Sequence, residues 1–109
     1  MEFLVISRAI DSPNVPPQAQ VALIKQTFQI FKANKEPRIK AVFPFAGERG
    51  GAIVVEAKTG EELQEVISSL PGTGITTNEI HALGTVDGVL KTLDVAEQRI
   101  AAMMPAGVR

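Results

Sequence analysis

His81 is the single histidine of the chain, and it follows Glu79 by two residues. Side chains two apart in a strand project to the same face, so a strand here sets a carboxylate beside an imidazole. That pair is a candidate general acid and base, able to shift a proton on a lactone or an enol at neutral pH. The alternative is a hydrogen-bonded pair on a solvated sheet face. Arg38 and Lys40 repeat the spacing on an earlier segment, where two cations would hold a carboxylate-bearing ligand or simply discourage edge-to-edge pairing. Ser7, with Arg8 after it, closes the first apolar run, a position that lines a pocket mouth or merely ends a strand. The ligand-binding candidates are therefore Ser7, Arg38 and Lys40, and the catalytic candidates His81 and Glu79.

Other chemistries are closed by composition. Without cysteine there is no disulfide, thiolate nucleophile or cysteine-held metal, and one histidine cannot build a two-histidine metal site. No Gly-x-Ser-x-Gly elbow is present, and Gly72-Thr73-Gly74 precedes a strand instead of opening a helix, the wrong order for a phosphate cradle. No metal and no cofactor are expected.

The elements that must position these residues can be read from periodicity. Glu2 to Ser7 is apolar on both alternating faces, the pattern of a central strand covered on both sides. After a turn rich in proline, a helix is expected from about Pro17 to Lys35, with Val21, Ile24, Phe28 and Phe31 as its stripe and Pro37 as its stop. Arg38 to Phe43 and Ala52 to Ala57 read as strands joined by the glycine-rich turn Gly47 to Gly51. Thr59 and Glu62 form a capping box for a second helix with Leu63, Val66, Ile67 and Leu70 on one side. Gly74 to Leu83 reads as a fourth strand, with Ile80 and Ala82 on its apolar face and Glu79 and His81 on the other. A third helix over about 86–103 is expected after a cap at Thr85 or Asp87, with 104–109 as a frayed tail.

The predicted fold is thus α+β, a single domain over residues 1–109 in ferredoxin-like β-α-β-β-α-β order. It has a four-stranded antiparallel sheet, two helices on one face and an additional C-terminal helix. Its other face is greasy and needs a cover, most simply a second copy of the chain, giving a homodimer or a multiple of dimers. Eleven basic against twelve acidic residues, with no Trp or Tyr, argue against nucleic acid as a partner. The apolar run Phe3-Leu4-Val5-Ile6 is too short for a leader or a membrane span, so a cytoplasmic protein without a membrane partner is expected.

Ala46-Gly47, Gly51 to Ala57, Thr59-Gly60-Glu61-Glu62-Leu63, Leu70-Pro71 and Glu79 to Leu83 together resemble the dimeric α/β-barrel superfamily, and within it the muconolactone-isomerase-like proteins. The resemblance covers about Glu2 to Thr85. It implies a metal- and flavin-independent isomerase or monooxygenase-like protein that handles a small organic acid, lactone or polyketide-like compound. The rival expectation is a non-catalytic binding or assembly module whose paired sheets serve association alone.

Overall fold

The computed structural model describes residues 1–11 and 14–104. Strand β1 (Glu2–Ala9) leads into helix α1 (Pro17–Lys32). Strands β2 (Ile39–Pro44) and β3 (Gly50–Glu56) form a hairpin, followed by helix α2 (Gly60–Ser68). A 3-10 turn at Pro71–Ile75, strand β4 (Thr76–Ala82) and helix α3 (Val86–Met103) complete the chain. The sheet order is β2-β3-β1-β4 and every pair is antiparallel. This is the expected ferredoxin-like α+β fold with its extra C-terminal helix. The tail beyond Met104 lies outside the described residues.

β1 takes the central place that its apolar faces demand. Its residues pair with β3 through Val5 opposite Ile53 and with β4 through Val5 opposite Ile80. The core lies on the helix side of the sheet, where Val5, Ile53 and Val55 meet Leu63, Val66 and Ile67 of α2. Thr59 caps α2 as predicted, accepting from the Glu62 amide at 3.1 Å. The reciprocal arm differs from the expected box: Glu62 Oε2 accepts from the Lys58 amide at 3.1 Å, one residue before the cap. Thr59→Ala should lower stability by about 1 kcal/mol in chemical denaturation, because the Glu62 amide would lose its acceptor.

α1 stops earlier than Pro37 would require. Asn34 turns to φ 52°, and the amides of Asn34 and Lys35 donate to the carbonyls of Phe31 and Ile30. This is the left-handed helix ending that asparagine tolerates. No residue of α1 is fully buried, so this helix sits less deeply on the sheet than α2. The second strand also differs from expectation: it begins at Ile39, so Arg38 precedes it, and its register shifts between Ile39 and Ala41, at Lys40.

α3 stands apart from the body. Every residue in it except Ala96 is exposed, and the molecule measures 68 × 29 × 26 Å. Its radius of gyration is 19.9 Å, against about 13 Å for a compact chain of this length. Among the described residues no helix is long and apolar enough to cross a membrane.

Candidate functional site

Register divides the predicted site residues between two faces. Phe3, Val5 and Ser7 of β1 turn toward the helices, and Ser7 lies opposite Asn78 of β4. Leu4 and Ile6 turn away, opposite His81 and Glu79. The expected parity of Glu79 and His81 is the one observed, but it puts them across the sheet from Ser7.

On the helix side, α1 and the sheet form a partly open cavity of about 70 Å³. Val5, Phe28, Phe31, Ile53 and Ile67 make most of its wall apolar. Phe28 and Phe31 meet edge to face, 5.5 Å between ring centres at 88°. The polar contribution is concentrated: the Ser7 hydroxyl donates to Asn78 Oδ1 at 2.6 Å, and Arg49, Thr73 and Thr76 also border the space. Thr27, on the α1 wall, accepts from the Gly72 amide at 2.9 Å and donates to the Leu23 carbonyl at 2.9 Å, which ties α1 to the 3-10 turn. Because Ser7 spends its proton on Asn78, its lone pairs and the Asn78 amide group remain to meet a ligand's donor and acceptor.

Asn78 was not among the sequence candidates, although parity marks it. It shares the helix-facing side of β4 with Ile80 and Ala82, a polar residue in an apolar series.

On the uncovered face, His81 Nε2 and Glu79 Oε1 are 3.2 Å apart, and Arg8 reaches Glu79 at 4.0 Å and Glu48 at 3.7 Å. About half of each of these side chains is exposed, so water screens the charges of this group. Around them Leu4, Ile6, Ala41 and Val54 are partly buried, and Phe43 is 56% exposed.

Arg38 occupies neither place. Its guanidinium donates to both Glu36 oxygens at 2.8 and 2.9 Å and approaches Glu62 and Glu65 at 3.9 and 3.6 Å. The hydrogen bonds from Arg38 hold the Glu36 carboxyl below its usual range. A depressed carboxyl pKa adds stability above the ordinary carboxylate value, and that stability fades as the pH falls. Three carboxylates already surround this cation, while Lys40 is exposed at the bulge.

No protein-family model matches the chain, and no curated protein does. Solved structures do match. Muconolactone isomerase superposes with a TM-score of 0.62 at 18% identity, over 78% of this chain and 90% of the isomerase. The 5-chloro-2-hydroxyhydroquinone dehydrochlorinase TftG from Burkholderia phenoliruptrix AC1100, in complex with 2,5-dihydroxybenzoquinone, superposes with a TM-score of 0.58 at 14% identity, over 81% of this chain and 98% of that one. At these identities the likeness establishes a shared fold, the one the sequence resemblance implied.

Proposed function

We propose that the chain, as a self-associated cytoplasmic protein, binds a small oxygen-bearing organic molecule of the lactone, organic acid or quinone class. The proposed site is the cavity between α1 and the sheet. The observation that carries this reading is the hydrogen-bonded pair Ser7 and Asn78 at the edge of a largely apolar pocket: apolar walls give affinity and a few placed polar groups give orientation. The two fold neighbours support the substrate class, one being named for a lactone and the other holding a dihydroxybenzoquinone. A space of 70 Å³ is about half the size of the engineered cavity of about 150 Å³ that binds benzene. A ring therefore enters with outward adjustment of Phe28 and Phe31, on a helix that has no fully buried residue. There the Asn78 amide N–H would donate to a ligand carbonyl while the Ser7 oxygen accepts a hydrogen bond from a ligand hydroxyl, an arrangement that orients an enol or lactone without itself moving a proton.

A second reading keeps Glu79 and His81 as acid and base on the uncovered face, favoured by their 3.2 Å contact and the neighbouring Arg8. It requires a second sheet to close over them. Calorimetric titration with 2,5-dihydroxybenzoquinone and with a butenolide separates the two. Asn78→Ala should weaken binding about tenfold, the loss of roughly one hydrogen bond, while His81→Ala and Glu79→Gln bind as the wild type. The opposite pattern moves the site to the uncovered face, and no binding to either probe rejects the ligand class.

A further inference from the structure

The helix that stands clear of the body carries a pattern unlike those of the other two. Val86, Val89, Leu93, Ala96, Ile100 and Met103 step by three and four residues without a break. This is the 3.5-residue repeat of a seam that meets another helix. α2, which lies on the sheet, instead buries the broader i, i+3, i+4 set Leu63, Val66 and Ile67. Beside the α3 seam stand Thr92, Glu97 and Arg99, with Leu90 the one apolar neighbour, so the stripe is too narrow to cover a flat sheet. Val86, Val89, Leu93, Ile100 and Met103 are each more than half exposed.

We propose that α3 is a self-association helix whose seam packs antiparallel against α3 of a second copy. A twofold axis between residues 94 and 95 makes three kinds of layer: Val86 on the partner's Met103, Val89 on the partner's Ile100, and Leu93 on the partner's Ala96. Each large side chain at the centre then meets a small one, as close packing requires. A parallel pair would set Ala96 against the partner's Ala96 and leave a gap. Antiparallel alignment also opposes the helix dipoles and brings no like charges together, since the partner's Arg99 falls beside Thr92 and the partner's Glu97 beside Leu90. Most of a helix's stability in a protein comes from packing its apolar face, and the pairing supplies the burial that the chain's own body does not. The pairing uses neither the cavity nor the uncovered sheet face, so it stands or falls separately from the ligand reading.

The chain has no cysteine, which makes single-cysteine variants clean probes. L93C and A96C, prepared with tags of different mass and mixed under mild oxidation, should form the mixed disulfide in clear excess over either homodimer. In light scattering, full-length L93E should show about half the wild-type mass while its body unfolds at an unchanged denaturant midpoint, because α3 places no buried side chain in the core. Dominant L93C homodimers would mean a parallel pair and overturn the arrangement. Cross-linking of L93C to a cysteine at Ile6 or Phe43 of another copy would show the helix covering a sheet instead. No mixed disulfide together with an unchanged mass for L93E would overturn the pairing altogether.

Discussion

Gly50→Ala should destabilise the chain by about 3 kcal/mol, at the upper end of overpacking effects. A methyl group on Gly50 would sit 2.5 Å from the Ser7 carbonyl oxygen and 3.3 Å from Arg8 Cα. Both are backbone atoms of the central strand, which cannot rotate out of the way. Relief requires the far end of β1 to part from β3 where Arg8 pairs with Gly50, and Ser7 would move with it. Urea denaturation should therefore show the loss of stability, and Asn78 should lose its partner, visible as a shifted side-chain amide resonance. Gly60→Ala is the control: nothing lies within 4 Å of a Cβ there, and stability should be unchanged or slightly raised by the better helix former. Equal stability of Gly50→Ala and the wild type would mean that the β1–β3 end is looser than drawn.

Ile67→Ala should cost about 3 kcal/mol as well, by a different route. Ile67 is 5% exposed in the core and also lines the cavity. Its truncation removes buried hydrocarbon and merges the new space with the existing one, which α2 cannot collapse to fill because Leu63 and Val66 hold it to the sheet. The expected signature is twofold: a lowered denaturation midpoint, and partial recovery of stability in the presence of a small apolar ring such as benzene, since a ligand that binds only the folded state stabilises it. Loss of stability without recovery would mean that the enlarged space is closed to solutes.

The order and type of the elements were legible because each carries its own period: alternation in β4, a 3.6-residue stripe in α1 and α2, glycines in the β2–β3 turn. Ends were less so. α1 stops at Lys32 through the left-handed turn at Asn34, a local event that Pro37 conceals in the sequence. The site was legible only in part, for a reason lodged in β1. Because Leu4 and Ile6 are as apolar as Phe3 and Val5, parity alone could not say which face Ser7 shares, whereas Glu79 and His81 were oriented by Ile80 and Ala82. The neighbourhood of Arg38 was equally hidden, since Glu62 and Glu65 arrive from another element. The cavity depends on how high α1 rides above the sheet, which no periodicity encodes.

The central position of β1 also governs how the chain comes to be folded. Phe3 pairs with Val55 on one side and Ala82 on the other, partners 52 and 79 residues further along. A ribosome therefore releases the greasiest strand well before β3, and β3 before β4. Between those moments Phe3-Leu4-Val5-Ile6 has no ladder to join, and loops of that length must close before any pairing rewards them. Folding should accordingly be slow for so small a domain, and until β4 emerges the unpaired apolar strand leaves the nascent chain prone to aggregate.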